Sequence, residues 1–294
     1  MANDNIYVGR DLGWVTLETG AKAIDEFIAI SGDDNPWYRT ASPFGGPILP
    51  AMFFHSLQFR DHSGWFLEDR YGTLFARQRF QWSRPLLVGE PARSHAWVSE
   101  IQRKGERWHV TCDVDIYNAN DDIALRSRTT QSFLVDTTYR GVVRNPDTTR
   151  PKRASTSAIP EGAGSTAFTP TRTFVSTEAC VRFFAGSSNY HTDVEESKKM
   201  GFGDIVVGGP MSVCYIGKML TDNLGRDLFV GADLDIRLID ILWANAEVTI
   251  LGSRLADPLP ELSRSRFPFH VEVQDPAGRM TVVANGSYAT TSPA

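Results

Sequence analysis

The stretch that decides the fold is Ala29-Ile30-Ser31-Gly32-Asp33-Asp34-Asn35-Pro36-Trp37-Tyr38, and it returns in weaker form as Phe184-Ala185-Gly186-Ser187-Ser188-Asn189-Tyr190-His191-Thr192-Asp193. The repetition indicates that one fold is used twice in the chain. The two copies differ at the positions where chemistry would occur. The first copy has Asp33 without a histidine, and the second has His191 without a matching aspartate.

Composition sets the broad class of the protein. The chain has 294 residues, of which 41% are hydrophobic and 22% are charged, so two cores of ordinary domain size are expected. The net charge of -5 argues against a nucleic-acid binder. No apolar run approaches the roughly 18 residues of a membrane span, and the N-terminus lacks a signal-like pattern, so a cytoplasmic protein is expected. The three cysteines lack metal-ligand spacing and are expected to be buried, and no metal site is expected.

Composition and hydrophobic periodicity divide the chain into two halves and a linker. We predict a first domain over 1–138, a linker rich in Arg, Pro, Thr, Ser, Ala and Gly over 139–170, and a second domain over 171–294. Each half starts with helical spacing and continues with alternating, strand-like segments. Predicted helices cover 21–30, 52–59, 178–185 and 211–224, and predicted strands cover 95–101, 108–117, 123–135, 228–238, 246–251, 267–274 and 280–290, with another from about residue 74. This order predicts an α+β protein of two curved antiparallel sheets, each around a long central helix, paired edge to edge.

The same residues carry a family resemblance. The order of helix, Gly-Asp-x-Asn-Pro, glycine-containing approach to a buried helix and strands resembles the MaoC-like, or (R)-specific enoyl-CoA hydratase, family in its double-hotdog form. The segment from Phe80 to Glu90 resembles the family's strand and turn, and the segment from Gly201 to Met211 resembles its loop entering the central helix. The resemblance covers nearly the whole chain outside the linker.

The family motif is Gly-Asp-x-Asn-Pro-apolar-His-x-Asp, in which the aspartate and histidine act on one water molecule. Gly32, Asp33, Asn35 and Pro36 fit the first copy, but Tyr38 stands where the histidine belongs. The second copy retains the glycine, asparagine, histidine and final aspartate. It has Ser187 in place of the first aspartate and is one residue short, so neither copy holds an intact dyad.

Each candidate residue in the second copy has a structural alternative. His191 is either the main proton-transfer group or a polar residue satisfied within a loop. Three polar residues can position a water molecule or a carbonyl group, or can be ordinary polar residues of a loop: Ser187, Ser188 and Asn189. Asp193 either assists His191 or, as we favour, caps the helix that follows.

The remaining candidates lie in the first copy and at the helix entry. Asp33 is either a base with Tyr38 as proton donor, or a relic of a lost active site that now caps a turn with Asn35. The resemblance favours the relic, because the first copy of related double hotdogs commonly loses its catalytic residues and shapes the acyl pocket instead. Gly208 and Gly209 can present N–H groups to a thioester oxygen, or form a tight turn into a packed helix.

The resemblance implies a hydratase or dehydratase acting on an enoyl or 3-hydroxyacyl thioester carried by CoA or a carrier protein. Three alternatives remain open: another lyase, isomerase, cyclase or thioesterase reaction on the same scaffold, a non-catalytic acyl-binding subunit, and a substrate that is not a thioester. No cofactor is expected beyond CoA as part of the substrate. The expected partners are a small acyl thioester and either a second copy of the chain or a related hotdog protein, with no nucleic acid and no membrane.

Overall fold

A computed structural model describes residues 6–55, 74–134, 164–184, 186, 188–258 and 266–290. Among them lie eleven strands: β1 (Asp11–Leu17), β2 (Leu74–Trp82), β3 (Ala92–Lys104), β4 (Arg107–Tyr117), β5 (Ile123–Leu134), β6 (Ser165–Ala167), β7 (Thr171–Val175), β8 (Asp233–Leu238), β9 (Ala246–Leu255), β10 (Arg266–Gln274) and β11 (Met280–Ala289). The helices with described bounds are α1 (Ala21–Ser31), a 3₁₀ turn (Pro36–Tyr38), α2 (Thr177–Phe183), α3 (Val194–Lys199), α4 (Gly209–Cys214), α5 (Ile216–Leu224) and α6 (Arg226–Phe229).

The strands form one continuous antiparallel sheet rather than the two sheets that we predicted. Its order is β1-β3-β4-β5-β2-β8-β11-β10-β9-β6, and β7 also pairs with β9. The halves join where β2 pairs with β8, from Arg77 opposite Arg237 to Gln81 opposite Asp233. The predicted edge-to-edge pairing is therefore confirmed, and it merges the two sheets because each half offers its free edge to the other.

Local turn chemistry explains the long hairpins. Between β4 and β5 the Asn118 side chain accepts hydrogen bonds from the backbone of Asn120 and Asp122, at 3.0 and 2.9 Å. Between β10 and β11 Asp275 does the same for Ala277 and Arg279, both at 2.9 Å. These are Asx turns, in which a short polar side chain replaces a backbone acceptor.

The central helix of the second half is interrupted once. α4 and α5 follow each other through Tyr215, which keeps right-handed helical dihedrals of φ -67° and ψ -20°. In the first half the predicted helix over 52–59 is described only as far as residue 55, where 53–55 are helical, and its remainder lies outside the described residues.

The sequence did not predict three of the strands, and one predicted strand begins later than expected. β1, β6 and β7 are short or irregular in their alternation, and β6 lies inside the predicted linker, where it pairs with β9. The predicted strand over 228–238 begins only at Asp233, because Gly225 starts the helical turn α6. The division into domains stays a prediction, and 139–163 lie outside the described residues.

Buried side chains from the helices and from alternate strand positions form a core cluster that includes residues of both halves. Cys112, Cys180 and Cys214 are all buried and free, as predicted. Burial raises the pKa of the Cys112 thiol to about 12 and that of Cys180 to about 11, so both are neutral at physiological pH.

Candidate active site

The two motif loops are built alike. Each begins with a glycine in the left-handed region, Gly32 at φ 69° and Gly186 at φ 76°, where a side chain would be strained. Three residues later an asparagine side chain accepts a backbone hydrogen bond from two residues on: Asn35 from Trp37 at 3.0 Å, and Asn189 from His191 at 2.8 Å. The sequence repeat is therefore a structural repeat.

Backbone pairing makes Tyr38 and His191 equivalent. The carbonyl of the residue before Tyr38 accepts a hydrogen bond from Ile48, at 2.9 Å, and the carbonyl before His191 accepts one from Val206, at 3.3 Å. Ile48 and Val206 also form matching isolated bridges in their halves. The missing residue of the second copy therefore lies between its asparagine and its histidine, as the sequence comparison placed it.

In the first copy Asp33 and Tyr38 form a buried pair. Their exposed fractions are 0% and 1%, and the Tyr38 hydroxyl donates to Asp33 Oδ2 at 2.9 Å. Asp33 Oδ1 is also buried and has no hydrogen-bond partner among the described residues. A buried carboxylate oxygen without a partner is costly, and such sites are often functional.

The environment of Asp33 changes its acidity. Burial raises the pKa of Asp33 from 3.8 to about 7, while the hydrogen bond from Tyr38 and the charge of Lys218 act in the opposite direction and Asp222 adds to the rise. A carboxyl group with a pKa near 7 can both accept and release a proton at neutral pH. Burial also raises the pKa of Tyr38 well above 10, so Tyr38 acts as a hydrogen-bond donor rather than as an acid.

Helix α5 of the second half holds this loop. Asn35 Nδ2 donates to Asp222 Oδ1 at 3.0 Å, and Lys218 Nζ lies 2.8 Å from Asp34 Oδ1. Asn35 thus uses both ends of its amide on protein groups rather than on a ligand, and it caps the 3₁₀ turn. The relic interpretation of Asp33, as a cap of this turn, stays a prediction, since a backbone hydrogen bond from Asn35 is among the interactions that lower the pKa of Asp33.

His191 lies in an aromatic setting in the second copy. Its ring stacks on Phe184 at a centroid distance of 4.7 Å and packs against Tyr190 at 3.9 Å. Its Nδ1 lies 2.7 Å from the carbonyl oxygen of Val206, which can only accept, so Nδ1 carries the proton. Nε2 is then the acceptor nitrogen, and it has no hydrogen-bond partner among the described residues.

The same setting keeps His191 neutral. Burial lowers its pKa to about 4, and the carbonyl of Val206 only partly counters that shift. The ring can accept a hydrogen bond at pH 7, but it is a weaker proton acceptor than a histidine in water. Within the described residues it forms no hydrogen bond to Asp33 or Tyr38, so the predicted catalytic residues fall into two groups.

The remaining predicted residues of the second copy have mostly structural contacts. Asp193 accepts from the backbone of Glu195 and Glu196, at 2.8 and 3.2 Å, which confirms the predicted N-cap of α3. Asn189 shapes its own loop through His191. Ser188 is exposed, and Ser187 lies outside the described residues.

Gly208 and Gly209 lie under aromatic rings. A Cβ atom at Gly208 would be 2.5 Å from Phe184, and one at Gly209 would be 2.6 Å from Phe75. These distances explain the glycines by packing, which was one of the two predicted explanations. Phe184 thus links Gly208 to His191. The function of either glycine toward a thioester oxygen stays a prediction.

Sequence reasoning missed the residues that α5 contributes. Gly217, Lys218, Thr221 and Asp222 lie on one side of α5, at the three- and four-residue spacings of a helix face. The available signal was the presence of four polar residues, Lys218, Thr221, Asp222 and Asn223, in an otherwise apolar helix. Sequence alone did not show that this face meets the other half of the chain.

A groove of about 700 Å³ lies elsewhere, on the strand face of the joined halves. Its charged residues are all in ion pairs: Arg128 with Asp113, Arg126 with Asp115 and Arg79 with Asp235 within the groove, and Asp233 with Arg266 beside it. Because these charges are already neutralised, the groove offers a charged ligand little, and the candidate site remains at the motif loops. Across the described residues, no cluster of three or more His, Cys, Asp or Glu side chains is arranged to hold a metal ion.

Comparison with solved structures identifies the fold. A MaoC-like dehydratase superposes with a TM-score of 0.72 at 13% identity, covering 97% of this chain and 98% of that one. A MaoC-like dehydratase from Phytophthora capsici superposes with a TM-score of 0.68 at 16% identity, over 100% of both chains. A conserved hypothetical protein from Mycobacterium tuberculosis, described as a double hotdog fold, gives a TM-score of 0.61 at 13% identity over 97% of both chains.

The chain therefore has the double-hotdog fold of MaoC-like dehydratase structures, as the motif resemblance implied. No family model matches the sequence. No curated protein matches it either. In the part of the chain that the structure describes, no helix is both long and apolar enough to cross a membrane.

Proposed function

We propose that the protein is a hydro-lyase that reversibly adds water to an enoyl thioester, or removes it from a 3-hydroxyacyl thioester, carried by CoA or a carrier protein. The fold supports this class of reaction. The observation that carries the proposal is the Asp33 carboxyl group, which is fully buried, bonded on one oxygen to Tyr38 and without a partner on the other. The proposal needs no metal or redox cofactor, and CoA enters it only as part of the substrate.

The Asp33 carboxyl group and one water molecule account for every proton that is transferred in the proposed reaction. Ionised Asp33 takes a proton from water as the water oxygen bonds to the β-carbon of the enoyl group. The electron pair of the double bond moves toward the α-carbon and the thioester carbonyl, and the protonated carboxyl group then returns the proton to the α-carbon. Dehydration is the reverse. A pKa near 7 suits both directions, because neither protonation state is strongly preferred.

Tyr38 holds Asp33 in place and supplies no proton of its own. Its hydroxyl donates to Oδ2, which leaves Oδ1 for the water molecule. This assignment reverses the sequence-based preference for His191 as the main proton-transfer group. His191 is a second acceptor in this proposal, and its neutral Nε2 can bind a substrate hydroxyl or a water molecule.

The test is hydration of a panel of aliphatic and aromatic 2-enoyl-CoA thioesters, followed by loss of enoyl absorbance. Asp33→Asn should lower kcat by about 100-fold or more, the range found for general acid–base groups. Asp34→Asn is the matched control, because Asp34 is an exposed neighbour that binds Lys218. In the hydration direction kcat/KM should rise with pH through about 7 in the wild type and lose that inflection in Asp33→Asn.

Other outcomes would assign the site differently. Loss of turnover in His191→Gln, with Asp33→Asn fully active, would move the chemistry to the second copy. No turnover from folded wild-type protein would refute the hydro-lyase. Titration calorimetry with the same thioesters would then separate an acyl-binding subunit from an enzyme with a different reaction.

A further inference from the structure

We infer that Thr221, on helix α5 of the second half, is a positioning residue that orients the Tyr38 hydroxyl toward Asp33; this inference rests on the proposed function. Thr221 Oγ1 lies 3.3 Å from the Tyr38 hydroxyl oxygen, which itself lies 2.9 Å from Asp33 Oδ2. Thr221 is buried, with an exposed fraction of 2%. The three side chains form a hydrogen-bonded row that crosses from one half of the chain to the other.

The direction of the row depends on the charge of Asp33. When Asp33 is ionised it can only accept, so Tyr38 donates to Asp33 and Thr221 donates to Tyr38. When the proton of Asp33 lies on Oδ1, Oδ2 still accepts from Tyr38; when the proton lies on Oδ2, Asp33 donates to the Tyr38 oxygen and Tyr38 donates to Thr221. A hydroxyl group is the side-chain group that can serve in both directions, because it holds one donor and two acceptor sites. Thr221 therefore supports both states that a reversible proton transfer requires.

The ionised state gains more from this support. Hydrogen bonds to a charged group are about twice as strong as neutral ones, and donors in a row strengthen one another. Removing the Thr221 hydroxyl should therefore destabilise ionised Asp33 more than protonated Asp33.

Helix α5 places Thr221 by several independent contacts. A Cβ atom at Gly217, one turn earlier, would lie 3.1 Å from Asp33 Oδ2 and 3.0 Å from Met52, so glycine allows the close approach. Asp222 binds Asn35 and Lys218 binds Asp34, which fixes the motif loop on both sides of the row.

Three charged or titratable side chains of the second half lie close enough to Asp33 to act on it. Lys218 lowers the pKa of Asp33, Asp222 raises it, and the nearby thiol of Cys214 is neutral because burial raises its own pKa. None of these groups changes when Thr221 is replaced, so the effect of a Thr221 variant on Asp33 is attributable to the hydroxyl group.

The first experiment measures Asp33 directly, without substrate. Carboxyl ¹³C chemical shifts, assigned by difference against Asp33→Asn, are titrated in wild type, Thr221→Val and Thr221→Ser. We expect Thr221→Val, which keeps the side-chain shape, to raise the pKa of Asp33 by about 0.5 or more, and Thr221→Ser to leave it within about 0.2. Thr221→Ala is the second variant should the valine protein not fold.

Tyr38→Phe completes the design. Thr221 acts through Tyr38 in this inference, so Thr221→Val should have no further effect on Asp33 in the Tyr38→Phe background. An unchanged pKa of Asp33 in Thr221→Val and Thr221→Ala, or an equal effect of Thr221→Ser, would overturn the inference. An undiminished effect in the Tyr38→Phe background would do the same.

Activity separates this inference from the proposed function. If the enzyme hydrates enoyl thioesters, the inflection of kcat/KM near pH 7 should move upward in Thr221→Val with the titrated pKa. If no hydration occurs while the titration behaves as expected, the hydro-lyase fails and the positioning of Asp33 stands. If hydration occurs while the pKa of Asp33 is unchanged in Thr221→Val, the hydro-lyase stands and the positioning function of Thr221 fails.

Discussion

Asp33 combines complete burial with a titratable group, and its pKa makes stability depend on pH. Its pKa in the folded protein is about 7 against an ordinary value of 3.8, so the folded state holds a proton that the unfolded chain has lost between those values. The stability that this group contributes is fully present below about pH 4 and is lost as pH rises through about 7.

Asp33→Asn should remove this pH dependence. Between pH 5 and pH 8 the wild type should lose roughly 2 to 3 kcal/mol of unfolding free energy that the variant retains. Urea denaturation at both pH values tests this expectation. Asp34→Asn is again the control, since the pKa of Asp34 is lowered by its hydrogen bond to Lys218. Parallel pH curves for wild type and Asp33→Asn would show that Asp33 has an ordinary pKa.

At the scale of single elements, helix α3 depends on its N-cap residue, Asp193. Asp193→Ala should lower the unfolding free energy by about 1 kcal/mol, because the backbone N–H groups of Glu195 and Glu196 lose their acceptor. Asp193→Asn retains an N-cap side chain and should keep both stability and activity. Loss of turnover in Asp193→Asn with stability intact would instead support a function for this carboxylate beside His191.

The start of helix α4 depends on close packing with a strand. Gly209→Ala would place a methyl group 2.6 Å from Phe75 Cβ, 2.9 Å from Cγ and 3.0 Å from Leu238, where the β2 backbone leaves little room to adjust. We expect a loss of about 1 to 3 kcal/mol, the usual cost of overpacking. Gly203→Ala, in the preceding loop, meets no atom within 4 Å and should be nearly neutral. Equal melting temperatures for the two variants would contradict this packing.

At the scale of the whole molecule, an ion pair spans the junction of the two halves. Asp235 on β8 accepts from Arg77 Nε at 2.6 Å and from Arg79 Nε at 3.3 Å, both on β2. Partial burial acts to raise the pKa of Asp235, but the hydrogen bonds and charges of these arginines outweigh it and hold the pKa below 3.8. A lowered carboxyl pKa contributes stability above about pH 4 that is lost as pH falls through the folded pKa.

Asp235→Asn should lower the unfolding free energy by up to about 1 kcal/mol at pH 7, because the pair is only partly buried. A double-mutant cycle with Arg77→Gln should show coupling at pH 7 that disappears in acid, as measured by urea denaturation. Additive effects of the two substitutions at pH 7 would mean that the pair does not stabilise the junction.

The sequence predicted much of the fold because its signals are local. Alternation of apolar residues predicted the long strands, although their ends were placed only to within several residues. Gly32 ends α1 in the left-handed region, where glycine is favoured. The short strands β6 and β7 were missed because three to five residues carry too little alternation, and their pairing with β9 is not local.

The sequence by itself determined the repeat, the motif loops and the candidate residues Asp33, Tyr38 and His191, since these depend on neighbours along the chain. Only the tertiary structure decided the burial, the hydrogen-bond partners and the pKa shift of each of them. Tyr38 and Thr221 are 183 residues apart, yet they meet, and Gly217 of the other half lies close to the buried Asp33, whose pKa is raised by burial. A pKa depends on every atom around the group in space, so adjacency along the chain could not reveal it.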